Sequence, residues 1–494
     1  MPEPTPRRTE LRGGSVVPGH NSIMYSRTII RHFRWSGSLE LMRCRTKSTA
    51  ISLGTPDRFM AHFITGAWGL CSRPASRPHR VFLREGVVSD KLRITGDGQR
   101  RRRRGSVLLK IGVPREIADG EGRVSLTPDT VGRLVKDGME VFVESGAGRE
   151  ALISDQAYQA AGATIVDGAE SLYGPVDVSL KVHAPIENGA VGRHEADMMR
   201  EGSHLIALLQ PLNSPDLVRR LAGQGVNSFS MDSIPRVARA QSMDALSSMA
   251  SLSGYKAVLI AANALGKIFP MMITAAGTLA PAKGLVLGAG VAGLQAIATA
   301  RRLGAVMYGY DVRSVVKEQI QSLGATFIEP EKTMVAAEGA GGYAVELAEE
   351  AQRVGRDLIH RHINDMDFVI STAAVPGRRA PLLITKEMVV DMRLGSVIVD
   401  IAAETGGNCE LTRPGENIVE HGIQICGPVN LPSMLPTHSS QLYSRNIFNF
   451  LSHLVDQGQV RVDFEDEITK ACCITYQGEV VHEASLEAMR AEAK

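Results

Sequence analysis

Three glycines, Gly288, Gly290 and Gly293, form the pattern G-x-G-x-x-G and carry the clearest chemical signal in the sequence. They follow four residues, Gly-Leu-Val-Leu, that predict a buried strand, and Val291 lies where a helix predicted over Ala292–Leu303 begins. In this context the first glycine permits a tight turn, the second lets the backbone approach a pyrophosphate, and the third lets helix and strand pack closely. Helix N-termini also attract phosphate. The pattern therefore predicts a dinucleotide site, with a plain strand–helix turn as the alternative.

The next predicted strand ends in an acid, Asp311, eighteen residues after Gly293. A carboxylate at this point accepts hydrogen bonds from the ribose hydroxyls of the adenosine and repels a 2′-phosphate, which favours NAD(H) over NADP(H). Val312 and Arg313 follow, and an arginine near this point can bind a 2′-phosphate. We give Asp311 more weight because it lies at the tip of the strand. A surface carboxylate that caps a turn is the alternative.

A polar segment that starts at Pro235 precedes the glycines by about forty residues and predicts a loop that runs into a helix. Asp244 and Ser247 occupy helix-start positions in it, and Arg236 and Gln241 come before them. Taken alone, the segment is typical of a charged surface loop with an Arg–Asp ion pair, and such pairs contribute little to stability. The interpretation of this segment therefore depends on motifs elsewhere in the chain.

Two other segments have residue types that suit a ligand site. Gly339, Gly341 and Gly342 precede Tyr343, and three glycines beside one aromatic residue fit a hinged loop that closes over a ligand. An ordinary glycine-rich connection is the alternative. Ala374 follows a further predicted strand, at the carboxyl edge of the sheet where ligands bind in doubly wound folds.

The elements that position these residues alternate between short apolar runs and amphipathic segments, which is typical of parallel βαβ units. We predict an α/β fold with two Rossmann-like, doubly wound parallel-sheet domains and a cleft between them. Residues 106–240 plus about 430–494 form the first predicted domain, and residues 241–429 form the NAD(H)-binding Rossmann domain. The predicted strands are Leu108–Val113, Glu140–Glu144, Thr164–Asp167, Val176–Val182, Leu205–Leu209, Leu285–Leu287, Val306–Tyr310, Thr326–Ile328, Phe368–Ser371 and Ser396–Ile401.

Long helices are also predicted, near Met243–Leu265 and Ser440–Leu454, and we expect them to cross between the domains. The most apolar region, Tyr255–Ala300, is interrupted by Lys267 and Pro270, so the sequence predicts no transmembrane helix.

The six cysteines lack C-x-x-C spacing and are too few for a disulfide framework, which indicates reduced thiols in a cytosol.

Charge divides the chain into two regions. Residues 1–105 carry 21 Lys and Arg against 7 Asp and Glu, whereas the remaining residues carry 34 and 46, and the total is only +2. We interpret residues 1–105 as a disordered extension, a leader or a segment outside the native protein, with the native start close to Val107. We assign this segment no function and expect no nucleic-acid partner.

Several long motifs occur in a characteristic order from about Leu108 to at least Ala484. Together they resemble the soluble, NAD(H)-binding component of the alpha subunit of proton-translocating NAD(P) transhydrogenases, in the split form of that subunit. The motifs are Arg-Ala-Gln-Ser-Met-Asp at Arg239–Asp244, residues 271–278, the glycine pattern with residues 294–300, Asp311-Val312-Arg313, residues 338–344 and Gly-Gly-Asn-Cys at Gly406–Cys409.

The resemblance implies roles for the polar segment. Residues that match Arg236, Gln241, Asp244 and Ser247 contact the nicotinamide end of the nucleotide in that family. Gln241 is implied to position the nicotinamide, and no acid–base residue or metal is expected, because direct hydride transfer between two nicotinamides needs neither. Gly342 and Tyr343 match a mobile loop that closes over the nucleotide, and Ala374 is implied to contact it.

The resemblance also implies partners. NADP(H) is expected on a second subunit, and proton movement is expected to be coupled through membrane-embedded subunits. The chain reaches Lys494 without an apolar span, so we expect the split form, cytoplasmic and peripherally attached to the inner (plasma) membrane of a bacterial-type cell. A homodimer is the default expectation.

Alanine dehydrogenase is the alternative, since it has a similar opening motif, Gly-Val-Pro-Arg-Glu at 112–116. Amine oxidation needs a carboxylate anchor, a lysine and a histidine that shuttles a proton. Arg123 and Lys181 could supply the first two, but the chain has Gln210 where that family has its histidine. His183 and His204 lie in other positions. A non-catalytic NAD(H)-binding subunit is a further alternative.

Overall fold

The computed structural model describes residues 108–329, 349–375 and 377–492 of the chain. In these ranges the chain forms a sheet of eight strands and a sheet of seven strands, both mainly parallel, with helices between successive strands. The predicted α/β class with two Rossmann-like sheets is confirmed. Residues 1–105 and the loop with Gly342 and Tyr343 lie outside the described residues, so the predictions for them stay predictions.

The first sheet is built from the first half of the chain and from its last strands. In chain order the elements of the first half are β1 (Lys110–Val113), α1 (Pro128–Lys136), β2 (Glu140–Glu144), α2 (Asp155–Ala160), β3 (Thr164–Val166), α3 (Ala169–Tyr173), β4 (Val178–His183), β5 (Glu187–Asn188), β6 (Arg193–His194), α4 (Glu195–Met198), β7 (His204–Leu208), α5 (Pro215–Gly223) and β8 (Asn227–Ser230). Six of these strands lie side by side in the order β8-β7-β4-β1-β2-β3, all parallel.

The second sheet follows a long helix and a short hairpin. Its elements are α6 (Ala245–Ala264), β9 (Met272–Thr274), β10 (Gly277–Leu279), β11 (Lys283–Leu287), α7 (Val291–Arg302), β12 (Val306–Tyr310), α8 (Lys317–Ser322), β13 (Thr326–Ile328), α9 (Glu349–Ile363), β14 (Phe368–Ser371), α10 (Lys386–Asp391), β15 (Val397–Asp400), β16 (Asn417–Glu420) and β17 (Ile423–Cys426). The strand order is β13-β12-β11-β14-β15-β17-β16, and it reverses between β11 and β14.

The C-terminal region returns to the first sheet. It contains α11 (Pro436–Leu454), β18 (Val455–Asp456), β19 (Gln459–Val460), α12 (Glu467–Cys472), β20 (Cys473–Tyr476), β21 (Glu479–Val480) and α13 (Glu483–Glu492). Strand β20 pairs antiparallel with β8, and β21 pairs with β20. The predicted domain boundaries stay a prediction, although the return of the chain to the first sheet is plain from this pairing.

All ten predicted strands occur within two residues of their predicted ends. Strand β8 was missed because its sequence, Asn-Ser-Phe-Ser, is mostly polar. Its four residues are nevertheless buried, since their polar groups are hydrogen-bonded: Ser228 and Thr475 join their hydroxyl oxygens at 2.6 Å, and Asn227 donates to the carbonyl oxygen of Gly202 at 3.2 Å. Buried polar residues with partners form a strand that hydrophobicity alone does not indicate.

Helix α6 belongs to the cores of both sheets. Ala245 and Met249 near its start pack into the core of the first sheet, whereas Ala257 and Ala261 near its end pack into the core of the second. By length and composition alone, α6 is the one helix in the described ranges that could cross a membrane. Seven of its twenty residues are buried, among them the four just named, which pack into the two cores.

Gly254 determines how closely α6 approaches α7, because a Cβ at this position would overlap the carbonyl oxygen of Ala292. We expect Gly254→Ala to lower the free energy of unfolding by about 1–3 kcal/mol, the usual cost of overpacking. Gly223→Ala is the matched control, since a Cβ at this helical glycine meets no described atom within 4 Å. It should leave stability unchanged or slightly higher. Denaturant unfolding measures both, and equal stabilities of the two variants would contradict the proposed constraint.

Candidate functional site

The carboxyl ends of β11, β12 and β14 meet at one edge of the second sheet, because β11 lies between the other two. Thr372 follows β14 and donates a hydrogen bond of 2.8 Å from its Oγ1 to the carbonyl oxygen of Gly288. Asp311 follows β12, and its Oδ2 accepts a bond of 2.7 Å from the backbone N–H of Ala289. The glycine-rich turn is therefore held from both sides, at the edge where doubly wound sheets bind ligands.

Each of the three glycines has a different environment. Gly288 has a φ of 92°, and a Cβ there would lie 2.9 Å from Oγ1 of Thr372. A Cβ on Gly293 would overlap the carbonyl oxygen of Gly288, so α7 can pack against the turn only without a side chain. Gly290 has a φ of −74°, and a Cβ there would meet no described atom within 4 Å. The fold itself does not require glycine at 290, whereas the approach of a phosphate to the backbone would.

Asp311 is buried, and its carboxylate is already engaged. Its Oδ1 accepts bonds of 2.9 Å from the backbone N–H and from Nε of Arg313, and its Oδ2 accepts a bond of 2.9 Å from Nη2 of the same residue. With the bond from Ala289, four donors use the roughly four acceptor positions of a carboxylate. A ribose hydroxyl that binds here must share or displace some of the Arg313 contact. Val312 between them packs against the core.

The polar segment starts α6. Asp244 caps the helix, since its Oδ1 accepts a bond of 2.8 Å from the backbone N–H of Ser247 and its Oδ2 accepts one of 2.6 Å from the hydroxyl of Ser247. The helix-start positions predicted for both residues are confirmed. Gln241 lies one turn earlier, in the 3₁₀ helix Ala238–Met243, and its side chain is exposed, as is that of Arg236. The four polar residues of the segment thus lie around the beginning of α6.

Helix α6 connects this segment with the glycine-rich turn. Gly254 contacts α7 at Ala292, the second residue of that helix, and Val291 is exposed at its first position. Asp244 and Gly254 are ten residues apart, which is about 15 Å along a helix. One rigid element therefore sets the separation between the two groups of predicted binding residues.

The loop after β14 is fixed by Asn408, a residue whose role the sequence did not reveal. Asn408 donates from Nδ2 to the carbonyl oxygens of Ala373 and Pro381, both at 2.8 Å, and its Oδ1 accepts a bond of 3.0 Å from the backbone N–H of Ala373. The buried carboxylate of Asp400 holds the backbone N–H of Asn408 at 2.7 Å. Ala374, the residue after Ala373, is exposed. The Gly-Gly-Asn-Cys motif was the available signal, but it does not indicate which peptide the amide binds.

Arg123 and Glu121 form a buried pair near the carboxyl ends of β1 and β4. Nε and Nη2 of Arg123 lie 2.8 Å and 2.6 Å from the two carboxylate oxygens of Glu121. Burial alone would raise the pKa of Glu121, but Arg123 and His183 lower it well below its usual range. A cavity of about 420 Å³ opens beside this pair, with Arg115 and Arg149 in its lining. An acidic substrate in this cavity would have to compete with Glu121 for the arginine.

Lys181 is fully buried and has two carboxylate partners. Its Nζ lies 2.9 Å from Oε1 of Glu195 and 3.2 Å from Oε2 of Glu116. Burial acts to lower the pKa of Lys181, but the two carboxylates raise it, so the ammonium group stays charged. Tyr173 donates a further bond of 2.8 Å to Glu195. The ammonium group and the Glu195 carboxylate thus have their partners within the protein.

The histidines of this region pack against or bind other residues of the chain. His204 lies parallel to the ring of Phe229 at 6.3 Å, and burial lowers its pKa. His183 is half-buried, and its Nε2 lies 3.2 Å from Glu121. Gln210, which the resemblance to alanine dehydrogenase aligns with that family's histidine, is exposed just after β7 with a φ of 47°. An amide cannot transfer a proton near neutral pH, so this position provides no acid or base.

Comparisons with known proteins cover the same region. The family model of the N-terminal domain of alanine dehydrogenase/PNT matches residues 112–253, and that of the C-terminal domain matches residues 257–483. An NAD(P) transhydrogenase alpha-subunit chain of Rhodospirillum rubrum is 45% identical over 379 residues, which are 76% of this chain and 98% of that protein.

Two other proteins show the range of the family. The crystal structure of transhydrogenase from Sinorhizobium meliloti has a TM-score of 0.66 and 40% identity, with 76% of this chain and 99% of that chain covered. Alanine dehydrogenase of Mycolicibacterium smegmatis is 28% identical over 76% of this chain and 95% of that protein. The identities to transhydrogenases are the higher ones, and this chain therefore belongs to the family of NAD(P) transhydrogenase alpha subunits, oxidoreductases whose two domains are shared with alanine dehydrogenase.

Proposed function

We propose that this chain is the NAD(H)-binding subunit of a proton-translocating transhydrogenase, and that hydride passes directly between NADH bound here and NADP⁺ bound by a partner subunit. The observation that carries the proposal is Gln210, an exposed amide at the position where an amino-acid dehydrogenase needs histidine. The internal pairing of Arg123 with Glu121 and of Lys181 with two carboxylates adds to it. Gln210 itself has no proton to transfer to or from an amino-acid substrate.

The residues at the edge of the second sheet fit a dinucleotide. Gly290 would face the pyrophosphate, while Gly288 turns the chain, Gly293 lets α7 pack against the turn, and Val291 begins the helix whose N-terminus attracts phosphate. The support comes from Gly290, which the fold does not require and which has open space on its Cβ side. Asp311, Val312 and Arg313 would hold the adenosine, and the carboxylate favours NAD(H). Ala374, Gly342 and Tyr343 would contact the same nucleotide.

Positioning is the main task of the remaining residues. The bound nicotinamides supply the chemistry, since one gives up a hydride and the other accepts it. Reacting atoms must come within roughly 3–3.5 Å of each other, away from water. Gln241, exposed before α6, would orient the nicotinamide end toward the partner, and Arg236, Asp244 and Ser247 would contact the same end. None of these side chains has to gain or lose a proton.

The proposal includes the setting of the subunit. We infer that it acts at the cytoplasmic side of the inner (plasma) membrane, as a peripheral and dimeric component. Membrane-embedded subunits, one of which binds NADP(H), would complete the enzyme and couple hydride transfer to proton translocation. The boundaries of the two domains, at about residues 240 and 430, belong to the same proposal, with the cleft between them open toward the partner.

A test of turnover separates this proposal from its alternatives. The protein mixed with an NADP(H)-binding partner subunit should reduce an NAD⁺ analogue with NADPH, measured by the absorbance of the reduced analogue. With NAD⁺ and L-alanine alone it should form no NADH, because Gln210 cannot accept a proton. Robust NADH formation from alanine would replace the proposal with an alanine dehydrogenase. Nucleotide binding without transfer at any partner ratio would favour a non-catalytic subunit.

Asp311 provides a test of nucleotide recognition. We expect Asp311→Ala to weaken NADH binding by about 1–3 kcal/mol, the usual loss for a charged hydrogen-bond acceptor. Isothermal titration calorimetry measures the dissociation constant. The melting temperature without nucleotide reports any loss of stability that follows from removing the Asp311–Arg313 ion pair. Asp311→Asn, which keeps the size and one acceptor oxygen, should lose less. An unchanged dissociation constant in a folded Asp311→Ala variant would remove this residue from the site.

Gly290 and Gly293 form a matched pair of variants. Gly290→Ala should leave the melting temperature unchanged, because its Cβ meets no described atom, but should weaken NADH binding about tenfold or more, because the methyl group separates backbone and pyrophosphate. Gly293→Ala should lower the melting temperature, since its Cβ would overlap the carbonyl oxygen of Gly288. If Gly290→Ala binds NADH like the wild type, the glycine pattern has only a structural role.

A further inference from the structure

One carbonyl group beside Gln241 is held by two amides from another helix. Asn446 and Asn449, on adjacent turns of α11, both donate from Nδ2 to the carbonyl oxygen of Ser242, at 2.9 Å and 3.1 Å. Ser242 immediately follows Gln241 in the 3₁₀ helix Ala238–Met243. Two donors on one carbonyl oxygen fix the position and the direction of the peptide between Ser242 and Met243, one residue after Gln241.

The rest of the segment is anchored on the same side. Ala240 and Met243 pack into the core of the first sheet together with residues of α11. Arg239 lies 2.8 Å from Asp466 and 3.1 Å from Glu467, at the start of α12. The side chain of Gln241 thus projects to solvent from a short helix whose buried residues and backbone are held by the C-terminal region of the chain.

Asn446 has a second unusual property. It is buried, and among the described residues its Oδ1 has no hydrogen-bond partner. A buried acceptor without a partner destabilises a protein, and an apolar side chain of the same size would avoid this. Asn446 donates one hydrogen bond to a carbonyl oxygen that Asn449 also binds. The stability gained from that bond does not explain why an asparagine occupies this buried position. Residues that lower stability in this way are typical of functional sites.

We propose that Asn446 is a positioning residue for hydride transfer, which fixes the backbone beside Gln241 so that its side chain orients the nicotinamide. This inference rests on the proposed function, in which Gln241 contacts the nicotinamide end of the nucleotide. Asn446 does not touch the nucleotide and acts only through the peptide of Ser242. Asn449 supports the same carbonyl from a less buried position.

Asn446→Leu separates positioning from structural support. The leucine has a similar size and removes both the donor and the buried acceptor, so the melting temperature should stay the same or rise. The turnover number with the NADP(H)-binding partner subunit should fall about tenfold to a hundredfold, the effect of misplaced reacting groups. The dissociation constant for NADH should change less than about twofold, since binding depends mainly on the glycine-rich turn and Asp311.

Gln441→Leu is the control, because it makes the same kind of change at an exposed position of α11 and should keep wild-type turnover. Asn449→Leu should reduce turnover less than Asn446→Leu. If Asn446→Leu does not fold, Asn446→Ser replaces it with the same expected loss of turnover.

The outcomes distinguish this inference from the proposed function. If the wild type turns over and a folded Asn446 variant turns over equally fast, the inference is overturned and the proposed function stands. A loss of turnover that follows a lower melting temperature or weaker NADH binding would also overturn the inference. Absence of turnover in the wild type would overturn the proposed function, and the inference with it.

Discussion

The close contact between α6 and the first turn of α7 is the constraint on which the other features depend. It exists because Gly254 has no side chain, so that the backbone of α6 reaches the carbonyl oxygen of Ala292. The same helix is capped by Asp244 and begins in the core of the first sheet. Two sheets with separate cores are thus joined by one element whose ends cannot move independently, and the glycine-rich turn and the Gln241 segment keep a fixed separation.

The charged groups near the first sheet are paired with one another inside the chain. Arg123 and Lys181 each lie within hydrogen-bond distance of a carboxylate of the same chain. Removing one partner of such a buried pair would leave an uncompensated charge, which is strongly destabilising. These pairs therefore have a structural role that is independent of any substrate. In the proposed reaction they maintain the fold, and the hydride needs only correctly placed nicotinamides.

Amide side chains fix the loops around the candidate site. Asn408 binds the backbone N–H and the carbonyl oxygen of Ala373 after β14, and Asn446 binds the carbonyl oxygen of Ser242, the residue after Gln241. An amide carries donors and an acceptor on one short side chain, so it can bind a backbone peptide without introducing charge. Loops that are fixed in this way can present a ligand site without flexible segments at its base.

The sequence by itself determined the α/β fold, the positions of ten strands, the glycine-rich turn and the cap of α6, because these depend on local periodicity and on residue types at short spacing. It did not indicate β8, whose buried Ser228 binds Thr475 from the other end of the chain, nor the hydrogen bonds between Asn408 and Ala373. Asp311 was evident as an acid at a strand tip, whereas its engagement by Arg313 and Ala289 was not. Local patterns specify which groups are present, but hydrogen bonds between distant residues form only when the chain is folded, and only the tertiary structure decides them.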